Sequence, residues 1–187
     1  MSTTQDFSPP DRDSFVSAMA LAVNGVAVLT TDGPGGRFGM TVSSVASVSA
    51  DPPLVLVCVN RNSVAHGALE ANGVFCLNLL STRQRGVADS FAGHPSSGRA
   101  YEFEEQAWVS GLTGAPKLNR AVATFDCTLD QAHDAGSHTI FVGLVRGITA
   151  QGGVPLLYTA RAYGRPVPWT PDLGVEDTMF ATHHTAA

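Results

Sequence analysis

The residues with the most chemistry between them stand at Asn60-Arg61-Asn62-Ser63, where a strand-type run gives way to a helix start. The junction gathers backbone amides, a hydroxyl, two carboxamides and a guanidinium, and the positive end of a helix favours an anion such as a phosphate. Ser63 is equally a good N-cap, so capping alone is a sufficient reason for a serine there. Just upstream, Val42 to Ser49 reads as one strand with Val42, Ser44, Ala46 and Val48 on one face and Ser43, Val45, Ser47 and Ser49 on the other. Neither face is bulky, so a second molecule can approach the backbone and use its amides and hydroxyls as ligands. Arg83 and Arg85 in the following helix would add positive charge, or form an exposed helix face.

Other chemistries are excluded by what the motifs lack. The glycines from Gly33 to Gly39 run into β-branched Thr41-Val42 and a serine strand, whereas a dinucleotide or P-loop signature needs a helix directly after its glycines. There is no Gly-x-Ser-x-Gly elbow and no recognisable pair of carboxylates. His133, Asp134 and His138 lack a further paired ligand, so no metal site is expected. The formal net charge of -5 and the absence of a Lys/Arg cluster argue against nucleic-acid or anionic-membrane binding. Cys58, Cys76 and Cys127 are widely spaced in apolar runs and read as reduced core residues, which suits a cytoplasmic protein. No signal-peptide pattern or membrane-length apolar run is seen, and 14% charged residues suggests that a partner copy covers part of the surface.

The elements that must position these residues read in order as follows. Residues 1–12 form a flexible arm, and Asp13 or Ser14 caps a helix that presents Phe15, Met19 and Val23 and ends near Asn24-Gly25. Val26 to Thr31 is a strand, Asp32 to Gly36 a hairpin-type turn, and Asp51-Pro52-Pro53 a stiff turn after the serine strand. Leu54 to Val59 is an unbroken apolar run, as for a strand buried on both faces. A helix with Val64, Ala68 and Leu69 follows, closed by Asn72-Gly73, then a strand from Val74 to Leu79. A capping box at Ser81 to Gln84 starts a helix with Val87, Ala88 and Phe91 inward. Residues 93–120 are a surface excursion with a short strand near Trp108. Strands at Ala121 to Leu129 and Thr139 to Ile148 are joined by a polar segment, and a last short strand spans Leu156 to Thr159. The domain runs over residues 13–167 and an extended tail over 168–187. Six or seven strands without strand-helix alternation predict a mainly β fold, a closed antiparallel barrel with a few helices at its ends.

The run from Gly39 to Ser63, with Phe75-Cys-Leu-Asn78, Phe91-Ala-Gly93, Gly114-Ala-Pro116, Gly136-Ser-His138 and Pro155-Leu-Leu-Tyr158 ahead of Tyr163, resembles the short-chain flavin reductases of two-component flavin-dependent monooxygenases. The resemblance implies a homodimer of Greek-key split β-barrels. It implies that FMN or FAD is reduced by NADH or NADPH and supplied to a separate monooxygenase, by diffusion or transient contact. It places Thr41, Ser43, Ser44, Val45 and Ala46 along the isoalloxazine and ribityl chain, and Asn60, Arg61 and Ser63 at the ribityl and phosphate end, with Asn78 and Ser81 nearby. Arg85 would reach an adenylate phosphate if FAD is used. His138 would stand where the nicotinamide stacks, although Ser137 replaces the aspartate that usually precedes it. Hydride transfer between the two cofactors needs no protein nucleophile, in keeping with the motifs that are missing. A non-catalytic flavin carrier of the same fold and a pyridoxamine-phosphate-oxidase-like enzyme are the alternatives. The second would be expected to carry more basic residues than this acidic chain offers.

Overall fold

A computed structural model describes residues 9–96 and 98–168. The expected arm falls largely, and the expected tail almost entirely, outside these residues.

A short helix, α1 (Arg12–Met19), comes first, followed by strands β1 (Asn24–Gly25), β2 (Ala27–Thr31), β3 (Phe38–Val42), β4 (Val45–Ala50) and β5 (Pro53–Asn60). Helix α2 (Val64–Asn72), strand β6 (Val74–Leu79), a 3-10 turn at Thr82–Gln84 and helix α3 (Arg85–Phe91) come next. The chain then forms β7 (Trp108–Ser110), β8 (Pro116–Leu118), β9 (Ala123–Ala135), β10 (His138–Ala150), β11 (Leu157–Thr159) and β12 (Ala162–Gly164). Seven of the strands make one antiparallel sheet in the order β3-β2-β6-β9-β10-β5-β4.

That order decides the shape. The two edge strands, β3 and β4, are consecutive in the chain and joined only by Ser43 and Ser44. Seven strands laid flat would span about 29 Å, whereas a two-residue link reaches about 10 Å. The sheet must therefore curl until its edges nearly meet, which gives a split barrel rather than the closed one expected from strand count. Ser44 then ties the link to the sheet: its hydroxyl donates to the Cys58 carbonyl at 3.0 Å and accepts from the Cys58 amide at 3.2 Å. The single strand read over Val42 to Ser49 is thus two edge strands meeting at a corner, with small residues where the corner turns.

Two cores flank β2, which is buried along its whole length. Ala27 and Leu29 face the barrel interior with Val55, Val57, Val59, Phe75, Leu77 and Phe141. Val26 and Val28 face a second layer in which Phe91, Phe103 and Trp108 pack edge-to-face, their ring centroids 4.9 to 5.3 Å apart. Fully buried Asn78 joins the layers. Its amide donates to the Val28 carbonyl at 3.0 Å and to the Thr30 hydroxyl at 3.1 Å, while its carbonyl accepts the Leu118 amide at 2.7 Å.

Other boundaries move for identifiable reasons. The cap of α1 is Asp11, whose carboxylate accepts the Ser14 amide at 2.9 Å, and the helix stops at Met19 because Asn24–Gly25 pairs with β11 instead. On β5 only Val55, Val57 and Val59 are buried, and Leu54, Leu56 and Cys58 remain half-exposed on the outer face. On α2, Ala65, Ala68 and Leu69 are buried while Val64 is exposed. Asn72 does more than end its helix, since its side chain clamps the glycine turn through the Gly35 amide, the Gly36 carbonyl and the Thr31 hydroxyl. The polar segment before His138 is strand throughout: β9 and β10 form a hairpin whose turn is Gly136 and Ser137.

Replacing Asn78 by Ala leaves the Leu118 amide and the Val28 carbonyl without these partners in a dry layer. We expect a loss of about 2–3 kcal/mol, read from urea unfolding.

Candidate active site

Thr41, Ser43, Ser44, Asn60, Arg61, Ser63 and His138 share one rim of the split barrel. They arrive there through register. Ser44 is bonded to Cys58, Asn60 lies two residues farther along β5, and His138 opposes Asn60 from the first position of β10. The Arg61 amide donates to the Ser137 carbonyl at 3.0 Å, which pins the junction to the hairpin turn.

At the junction, the Asn60 side chain accepts the Asn62 amide at 2.9 Å and the Ser63 hydroxyl accepts the Ala65 amide at 3.3 Å. Several amides that the sequence offered to a ligand are thus engaged inside the loop. What faces outward is the positive end of α2 and the Arg61 guanidinium, whose Nη2 lies 3.4 Å from Asp134. His138 is half-buried, with Nδ1 2.9 Å from the Ser137 hydroxyl, so the serine that replaces the usual aspartate contacts the imidazole directly.

Two clefts run from this rim and meet. The first, about 410 Å³, lies between β3 and the start of α2 and is lined by Phe38 to Thr41, Ser63 to Ala65, Phe91, Ala92 and Tyr101. The second, about 570 Å³, is walled by Thr41, Val42 and Ser43 on one side and by Arg85, Asp89, His94, Tyr158, Arg161 and Tyr163 on the other. Thr41 and Ala92 line both, so they form the waist of one groove. The Thr41 hydroxyl donates to the Ala88 carbonyl at 2.7 Å, which fixes the waist to α3.

The wall contributed by the last hairpin was not legible as a site. Tyr158 and Tyr163 pack edge-to-face at 5.4 Å, and the Arg85 guanidinium lies 5.3 Å from the Tyr163 ring centre and 3.7 Å from Asp89. Burial, then the hydrogen bond to Asp89, push the Tyr163 phenol up to about 12, so it remains a donor at neutral pH. The turn between β11 and β12 holds Ala160 and Arg161 at φ of 48° and 62°, a left-handed pair in a position that normally announces itself through Asn or Gly. The sequence therefore carries no mark of the turn or of the delivery of Arg161 to the groove.

The remaining predicted residues lie elsewhere. Val45 and Ala46 line a separate apolar cleft of about 410 Å³ with Leu54, Phe125, Val145 and Ile148. Ser81 is engaged in the capping box with Gln84 and bridges to Pro155. Asn78 is sealed between the two cores, where it supports the fold instead of touching a ligand.

The model of the flavin reductase like domain matches residues 19–166 of this chain. The chain belongs to that family. An FMN reductase (NADH) RutF 2 of Methylorubrum extorquens strain PA1 is 42% identical over 151 residues, 80% of this chain and 87% of the relative. Among solved structures, the NADH:FAD oxidoreductase SgcE6 of Streptomyces globisporus C-1027 superposes with a TM-score of 0.76 at 32% identity, covering 89% of this chain and 100% of that one. BorF, the flavin reductase component of a bacterial two-component tryptophan halogenase, superposes with a TM-score of 0.73 at 33% identity, covering 83% and 98%. In this flavin reductase fold the rim residues are brought together by the corner at Ser43-Ser44.

Replacing Ser44 by Ala removes both bonds that hold the corner to β5. We expect a loss of about 1 kcal/mol in unfolding free energy and faster amide exchange at Cys58, measured by hydrogen-exchange NMR.

Proposed function

We propose that this chain is a flavin reductase that oxidises NADH, reduces FMN and releases the reduced flavin to a separate flavin-dependent monooxygenase. The observation that carries the reading is the groove whose two chambers meet at Thr41 and Ala92: the smaller reaches Ser63 and the start of α2, with Arg61 two residues away on the same junction, and the larger lies beyond Thr41. The donor set fits a flavin phosphate: one guanidinium, one serine hydroxyl and a helix N-terminus. When bound, flavin and nicotinamide supply the hydride chemistry themselves.

The protein residues then have binding and orienting roles. Arg61 and Ser63 hold the phosphate, and Asn60 bonds the ribityl chain. The backbone from Thr41 to Ser44 lies along the ring system, its small side chains allowing close approach. His138, steadied by Ser137, orients the nicotinamide. With FMN bound, Arg85 and Arg161 take the phosphates of the dinucleotide, and the Tyr158–Tyr163 pair offers it an aromatic wall. If FAD replaces FMN, Arg85 serves its adenylate phosphate and the dinucleotide phosphates fall to Arg161.

A homodimer is part of this reading. The outer face of β5 is half-exposed, a separate apolar cleft includes Ile148, and α1 leaves Phe15 and Met19 uncovered at 58% and 52% exposure. Apolar surface of this extent suits a second copy. Three free thiols, two of them buried, suit a reducing cytoplasm.

Two measurements test the proposal. Purified protein should oxidise NADH only when flavin is added, faster with FMN than with riboflavin, and NADPH and FAD complete the comparison. Absence of flavin-dependent consumption of either nucleotide would leave a non-catalytic flavin carrier. In the same assay His138→Ala should raise the KM for NADH about tenfold while leaving FMN binding intact; an unchanged KM would remove the orienting role from His138.

A further inference from the structure

Behind Arg61 stands a chain of polar contacts that neither flavin nor nicotinamide would touch. We infer that Asp134, Thr139 and His66 are positioning residues that hold the Arg61 guanidinium in place for the flavin phosphate. This rests on the reading of Arg61 and Ser63 as the phosphate end.

Thr139, which opposes Asp134 across the β9–β10 hairpin, is 1% exposed. Its hydroxyl donates to Asp134 Oδ1 at 2.6 Å, and its oxygen lies 2.8 Å from His66 Nε2. A threonine hydroxyl has one proton. Because that proton goes to Asp134, His66 must donate through Nε2, and this fixes the imidazole tautomer. His66 is itself held, with its ring against the edge of buried Phe141 at 5.3 Å. The anchor therefore starts in the barrel core and ends at the rim.

Asp134 has one oxygen bound to Thr139 and the other, Oδ2, 3.4 Å from Arg61 Nη2. Among the described residues no other carboxylate lies within ion-pair distance of that guanidinium. The single contact uses one corner of the arginine fork and leaves its other donors free for a phosphate. The carboxylate is ionised at neutral pH, held below the usual range first by the Thr139 hydrogen bond and then by Arg61 and His66. A free, long arginine side chain loses rotamer entropy on binding an anion; one already held on an anchored carboxylate loses less. The relay thus raises affinity for phosphate-bearing flavins without contacting them.

The test compares dissociation constants for FMN and riboflavin, which lacks the phosphate, by fluorescence quenching on the full chain. Asp134→Asn, an exposed change that keeps shape, should weaken FMN about threefold to fivefold and leave riboflavin unchanged. Thr139→Val should act in the same direction, and Thr139→Ser, which keeps the hydroxyl, should restore the wild-type value. Unchanged or tighter FMN binding by Asp134→Asn would overturn the inference, since the carboxylate would then be idle or a competitor of the phosphate. Equal weakening of FMN and riboflavin would also overturn it, by showing a general structural effect. Arg61→Ala isolates the underlying reading: if FMN keeps its advantage over riboflavin there, the phosphate does not lie at Arg61.

Discussion

The constraint on which the rest of this structure depends is the two-residue link between the edges of its sheet. Ser43 and Ser44 force β3 and β4, the two edges of the sheet, to approach one another at the corner. Edge strands are usually protected by charge, by bulges or by covering elements. Here they become the borders of clefts. One border, β3, forms the wall of the groove; the other, β4, lines the separate apolar cleft. Small side chains at the corner satisfy both demands, because a bulky residue there would obstruct the turn and the groove together.

Much of this was legible in order and type. The extent of β5, the Ser63 cap, the left-handed Gly73 at the end of α2 and the capping box at Ser81 all appear where local chemistry dictates. What escaped depends on partners distant in sequence. A period-two pattern from Val42 to Ser49 contains no mark that the strand changes sides of a barrel, because alternation is the same on both sides of the corner. Asn78 looked like a polar residue available to a ligand, yet its partners at Val28 and Leu118 place it between two apolar layers. The polar residues of β9 from Asp130 onward looked like a loop because both faces are wet there, although the backbone pairing with β10 continues to the turn.

The candidate site was legible to a similar degree. Its phosphate end follows from residue types around one strand-helix junction, so a short window sufficed. Its far wall comes from a hairpin about a hundred residues later, through a left-handed turn with neither glycine nor asparagine. The departure at Ser137 also acquires a physical meaning. A carboxylate beside Nδ1 would demand a proton there, whereas a hydroxyl can donate to or accept from that nitrogen. The imidazole of His138 is thus oriented without being restricted to one tautomer.

The register of β10 against β5 has a consequence for the order of events in synthesis and folding. The β2–β3 and β4–β5 hairpins can form as soon as their residues are made, since their partners are adjacent in the chain. The rim cannot. Asn60 meets His138 only after residues 61–137 have been translated, and closing so long a segment carries a loop-entropy cost that local pairing does not. A nascent chain released before β10 would expose the bonding edge of β5 with its apolar run uncovered, so the same strand that later presents the ligand junction is an aggregation-prone edge during biosynthesis.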